Sequence, residues 1–105
     1  MRIFIAGPGG DYNNLLSEQI MANIRRADEI GQQLVHLGHE VYIPHTMCRT
    51  WMGKFPLTAM QRLDNSFLDY WATALYRIPG ESRGADIEVA RARVLGLTIL
   101  TEIPD

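Results

Sequence analysis

The chain has 105 residues, 47% hydrophobic and 21% charged, with 10 basic and 12 acidic side chains and a formal net charge of −2. That length suits one domain over residues 1–105, and the apolar fraction excludes wholesale disorder. The near-neutral charge argues against polymeric nucleic acid as a partner, and no apolar run reaches the roughly 20 residues of a membrane helix. The apolar start, Met1 to Ala6, is too short for a signal peptide, and the single cysteine, Cys48, excludes an internal disulfide framework. A cytoplasmic setting is expected.

Arg2–Ala6 is short, β-branched and aromatic and ends in Gly7-Pro8-Gly9-Gly10, which predicts a buried strand and a tight loop. From Ser17 to Leu37 the apolar residues Ile20, Ile24, Ala27, Leu34 and Leu37 recur at helical spacing, with Gly31 a local weakness and Gly38 at the C-terminus. Glu40–Ile43 reads as a second strand, closed by Pro44. Residues His45 to Pro56 show no period and read as an irregular loop. Thr58 and Gln61 then form a capping-box pattern, and Met60, Leu63, Phe67 and Trp71 continue at helical spacing. Thr73–Ile78 is the third strand, Pro79–Gly84 a compact turn, Ala85–Leu95 a helix ended by Gly96, and Leu97–Leu100 the last strand. Strands alternating with helices, each strand nearly all apolar, predict a parallel α/β sheet covered on both faces.

Ligands of such sheets bind outside the carboxyl ends of the strands. Those ends carry Gly7–Gly10, Pro44–Arg49 and Pro79–Gly84, the three loops of unusual composition. Glycines in the first allow backbone N–H groups to approach a phosphate or sugar, although a plain turn uses glycine equally; neither dinucleotide nor P-loop spacing is present. Ser82, Arg83 and Gly84 open a helix, where a hydroxyl, a guanidinium and N–H groups converge on a phosphate. Glu88 lies one turn in, as a functional carboxylate or an ordinary dipole-favoured charge, with Asp86 better suited to the latter. Asp64, Asp69 and Glu81 are further carboxylates near the rim, and two carboxyls at one sugar carbon would serve glycosidic chemistry. His36, His39, His45 and Cys48 lack metal-ligand spacing, so no metal is expected; His45 alone falls at the ligand edge. Trp51 and Phe55 are candidates to stack on a base, to pack the loop or to meet another subunit.

Phe4-Ile-Ala-Gly-Pro8, Asn23-Ile-Arg-Arg-Ala27, Leu37-Gly-His39, Pro44-His-Thr46 and the run Pro79-Gly-Glu-Ser-Arg-Gly-Ala-Asp-Ile-Glu-Val-Ala90 followed by Gly96 resemble the nucleoside 2-deoxyribosyltransferase superfamily, in its short bacterial and phage-borne branch. The resemblance covers nearly the whole chain, and its most specific part is the Ser-x-Gly-x-x-x-Glu segment. It implies a Rossmann-like or flavodoxin-like three-layer sandwich with a small parallel sheet of four to five strands. It also implies N-glycosidic bond cleavage or transfer on a (deoxy)nucleoside or nucleoside 5′-monophosphate, without a cofactor. Carried over by position, Glu88 is the nucleophile at C1′, Ser82 and Gly84 hold a 5′-phosphate, and Asp64 is the second acidic residue, with Asn65 the alternative one position on. Gly7, Pro8, Gly9, His45 and Arg83 complete the expected binding set. Phe4 stands where the transferases carry a tyrosine that orients the nucleophile, and the turn before Ser82 is short and lacks a tryptophan. A non-catalytic nucleotide-binding module is the alternative function. So few loops enclose a pocket poorly, so a homodimer is expected, with Trp51, Met52, Phe55 and Trp71 as apolar surface for the second copy.

Overall fold

Alternate side chains of β1 (Arg2–Ala6) point to opposite faces of a sheet, and both faces are covered. In the computed structural model, which describes residues 1–9, 18–51 and 53–105 (backbone alone for 47–49), Ile3 and Ile5 pack with Ala27 and Leu34 of α1 (Glu18–His36). Phe4 and Ala6 join Leu68, Leu75, Ala85, Val89 and Ala92 on the other side. The expectations placed on Gly10, Ser17, Met52 and the side chain of Cys48 lie outside the described residues.

Three short strands complete the sheet: β2 (Glu40–Tyr42), β3 (Ala74–Arg77) and β4 (Thr98–Leu100). All pair in parallel in the order β2-β1-β3-β4. The expected α/β class, a four-stranded parallel sheet between helical layers in the Rossmann and flavodoxin manner, is what forms. β1 is central, with β2 on one side and β3 on the other, so the chain leaves it in opposite directions and opens a crevice at the carboxyl edge.

Gly31 is no weakness. A Cβ there would fall 2.4 Å from Cδ1 of Ile43, so the bare glycine lets α1 lie directly against the end of β2. The stretch after Pro44 is not the expected loop either. Pro44–Trp51 forms a helix, α2, whose first position suits a residue with no N–H to satisfy. Eight residues are too few to show a period, and Pro44, read as a strand terminator, is a helix initiator.

Helix α3 (Leu57–Ser66) begins after Pro56 with no side-chain cap, so the Thr58–Gln61 capping box does not form. Thr58 is already inside the helix, and Gln61 borders a cavity instead. The helix then widens into a π-helical turn, Phe67–Trp71, closed by the Ala72 N–H donating to the carbonyl of Phe67. Phe67 stacks on Tyr42 with ring centres 3.9 Å apart and planes 6° apart. Trp71 packs edge-on to Phe67 against the core and is not open apolar surface; Trp51 and Phe55 are exposed and touch each other at 5.6 Å between centres. Helix α4 (Arg83–Val94) starts two residues before its expected first residue, because Ser82 caps it: its Oγ accepts the Ala85 N–H at 3.1 Å.

Candidate active site

The β1–α1 connection is held where the chain first leaves the sheet. Gly7 must be small, since a Cβ would sit 2.7 Å from Cβ of the buried Ile78. The Pro8 carbonyl accepts from Nε2 of His45 at 3.0 Å, and the Gly9 carbonyl accepts from the Asn23 amide at 3.2 Å. The loop is therefore clamped between α2 and α1. Since a carbonyl only accepts, His45 carries its proton on Nε2. Burial pushes its pKa down against the raising effect of the Pro8 and Gly7 carbonyls, and its Nδ1 is buried with no hydrogen-bond partner among the described residues.

Above this loop lies a cavity of about 510 Å³, within the size range of small-molecule sites. Its walls include Gly7 and Gly9, Ile20 and Ile24 of α1, His45 of α2, Gln61, Asp64 and Asn65 of α3, and Ser82, Gly84, Ile87 and Glu88 of α4. Thus Glu88, Asp64, Gly7, Gly9, His45, Ser82 and Gly84, far apart in sequence, border one space. Pro8 and Arg83 do not line it: Pro8 holds His45 through its carbonyl, and Arg83 is exposed. Asp69 is drawn off into an ion pair with Arg91, which keeps its carboxyl below the usual range. Glu81 is exposed and outside the lining. Asn65 shares the wall with Asp64, so both residues of the alternative reach the cavity.

Two carboxyls in one poorly solvated space disfavour double ionisation. Burial lifts Asp64 to about 6, against the opposing hydrogen bond from the Tyr42 hydroxyl, which donates to Oδ1 at 2.8 Å. Burial first, and the charge of Asp64 second, push Glu88 to about 8, with Arg77 pulling the other way. Near neutrality the pair therefore holds one proton. Gln61 and Tyr42 are the polar neighbours that sequence reasoning missed. Gln61 falls in the pattern that reads as a cap; Tyr42 has no local signal, since only the strand register, which sets it beside Phe4, brings it to the site. Among the described residues no group of three His, Cys, Asp or Glu side chains is placed to hold a metal ion. No described helix is long and apolar enough to cross a membrane.

No family model and no curated protein matches the sequence. A solved structure does: a 2-deoxyribosyltransferase from the psychrotolerant bacterium Bacillus psychrosaccharolyticus, with a TM-score of 0.67 and 20% identity over 100% of this chain and 77% of that one. The chain shares the fold of a 2-deoxyribosyltransferase. At that identity the likeness concerns the fold, and the chemistry has to be argued from the cavity.

Proposed function

We propose that this 2-deoxyribosyltransferase-like chain breaks or transfers the N-glycosidic bond of a (deoxy)nucleoside or its 5′-monophosphate. The observation that carries this reading is the pair of carboxyls, Glu88 and Asp64, that share one cavity and hold one proton between them near neutral pH. In the reacting arrangement Glu88 is the carboxylate and Asp64 the acid. A Glu88 oxygen forms a bond to C1′ as the C1′–N bond breaks, and that electron pair leaves with the base, which takes the proton from Asp64. Water or a second base then attacks C1′, giving up a proton to Asp64 and releasing Glu88. The positive charge that develops at C1′ is stabilised by the Glu88 carboxylate in a site with little water to screen it.

The first turn of α4 supplies N–H groups with no carbonyl before them to bond, and Ser82 adds a hydroxyl proton. That end of the cavity suits a 5′-phosphate. The apolar mouth, with Leu57 and Ile87 exposed beside it, favours a homodimer as the working form; a monodisperse monomer in solution would count against that. A second reading, a nucleotide-binding module without turnover, is favoured by the burial of Glu88, which pushes its carboxyl up to about 8 and so towards the protonated form at neutral pH.

The experiment is incubation with each deoxynucleoside, ribonucleoside and monophosphate, with and without an acceptor base, followed by detection of free base. Release that is lost in Glu88→Ala supports the glycosidic reaction. Tight nucleotide binding with no release of base, and with Glu88→Ala binding as well as the wild type, overturns it in favour of the binding module.

A further inference from the structure

Arg77 is the last residue of β3, and its side chain is only 16% exposed. Its guanidinium donates to the carbonyl of Ile78, to the carbonyl of Gly80 at 3.0 Å, and to Oδ1 of Asp86 at 2.9 Å. One side chain thus bonds to both ends of the connection from β3 to α4, which carries Ser82 and Gly84 into the cavity wall. The turn needs fastening. Gly80 has φ +125°, and a Cβ there would come within 2.8 Å of Cγ of Pro8, so the turn sits directly on the β1 loop. A planar fork that serves three acceptors at once is a task for arginine and not for lysine.

We propose that Arg77 is a positioning residue of this site: it fastens the turn that presents Ser82, Gly84 and Glu88, and its positive charge acts on the Glu88 carboxyl. Asp86 is 72% exposed and its charge is screened by water, so it neutralises Arg77 incompletely on the inner side. The other groups around Glu88 do not replace it. Asp64 on α3 is a like charge, and His45 on α2 is held neutral by burial. Arg91, further along α4, is committed to Asp69 of the π-helical turn, and Arg2, the charged residue of β1, lies at the far end of its strand on the Trp71 carbonyl. Arg77 is the cation that favours an ionised Glu88 against burial and Asp64. The functional meaning of this rests on Glu88 as the attacking group.

The test reads the Glu88 carboxyl directly, by carbon-detected NMR titration from pH 5 to 10 without substrate, in the wild type, R77Q, R77K and D86N. R77Q is expected to move the Glu88 midpoint upward by roughly half to one unit. R77K, which keeps the charge and loses the fork, moves it less while perturbing the amide shifts of residues 78–86. D86N, which breaks the same ion pair from the other side, moves the midpoint downward. Shifts of the same sign in R77Q and D86N, or none in either, overturn the proposal, because a purely mechanical ion pair has no reason to respond with opposite signs. Should R77Q fail to fold, R77K decides: perturbed amide shifts of residues 78–86 with a smaller upward move of the Glu88 midpoint support the inference, and amide shifts and midpoint both unchanged from the wild type refute it. Failure of the wild type to release base from any nucleoside would remove the proposed reaction and leave the titration to decide on Arg77 separately.

Discussion

Glu88→Gln isolates the energetic consequence of placing an acid in this cavity. Glutamine keeps the shape and removes the ionisation. In the folded chain the Glu88 carboxyl titrates at about 8, against 4.5 when unperturbed. The folded state therefore binds this proton more tightly than the unfolded state. The stability this contributes is complete below the unfolded value and is lost as pH rises through the folded one. At roughly 1.4 kcal/mol per unit, the loss across that interval is on the order of 3 to 5 kcal/mol, a large part of what a domain of this size possesses. The assay is urea unfolding of wild type and Glu88→Gln at pH 5, 7 and 9. The two should unfold at similar urea concentrations at pH 5, with the variant gaining steadily and leading by several kcal/mol at pH 9. Curves that stay parallel across pH, or a wild type that gains on the variant as pH rises, would refute the account of Glu88 as a buried, proton-holding group.

If the pair works with one proton, base release should follow a bell-shaped pH profile, with limbs near 6 and 8 and a maximum near 7. A rate that climbs without a fall through pH 9 contradicts it. Tyr42→Phe removes the hydroxyl that donates to Asp64 and keeps the stack on Phe67; the Asp64 carboxyl should titrate higher, and the acid limb of the profile should move up with it. Its stability cost, about 1 kcal/mol where Asp64 is ionised, should shrink below pH 5, which unfolding at two pH values will show. Gly7→Ala should destabilise the fold by about 1–3 kcal/mol, since its Cβ meets Ile78 at 2.7 Å. Gly9→Ala, whose Cβ meets nothing nearer than His45 at 3.9 Å among the described residues, should be close to neutral in the same thermal denaturation series.

The parts legible in the sequence are those whose signal is local. β1 and β3 are apolar runs, α1 carries its stripe over many turns, and Ser82-Arg83-Gly84 marks a helix start to within a residue or two. The carboxyl-edge rule points to the loops that carry Gly7, His45, Ser82 and Gly84, the resemblance singles out Glu88, and all of these border one cavity. What stayed hidden depends on pairs. Helix α2 is too short for periodicity and hides behind a proline. The capping box at Thr58 is a pattern without a boundary: the helix begins earlier, after Pro56, whose carbonyl accepts from the N–H groups of Ala59 and Met60. Arg77–Asp86 and Tyr42–Asp64 join elements whose relative rotation no single segment encodes. The close approach at Gly31 is of the same kind, since only the position of Ile43 reveals why a glycine is needed there.

Tyr42 links the resemblance to the electrostatics. The tyrosine expected to orient the nucleophile is replaced on β1 by Phe4, but β2 lies beside β1 in register, and Tyr42 is the partner of Phe4, with ring centres 5.5 Å apart. A hydroxyl thus returns to the site one strand over, and from there it donates to Asp64. At Asp64 that hydrogen bond works against the dominant effect of burial. Burial raises both carboxyls; at Asp64 the Tyr42 hydrogen bond opposes it, whereas at Glu88 the charge of Asp64 adds to it and that of Arg77 opposes it, so that the two stand at about 6 and about 8. Near neutral pH the shared proton therefore rests mainly on Glu88. In the proposed reaction the proton has to pass to Asp64 before Glu88 attacks C1′, and a bound base that accepts a hydrogen bond from Asp64 would supply the reason for it to move. Under the proposed reaction, ionisation of Glu88 would then be coupled to occupancy by that base. Restoring the hydroxyl to β1 with Phe4→Tyr in a Tyr42→Phe background should lower the Glu88 midpoint and raise that of Asp64. If the carboxyl titrations do not move in opposite directions, the position of that hydroxyl does not set the order of the two acids.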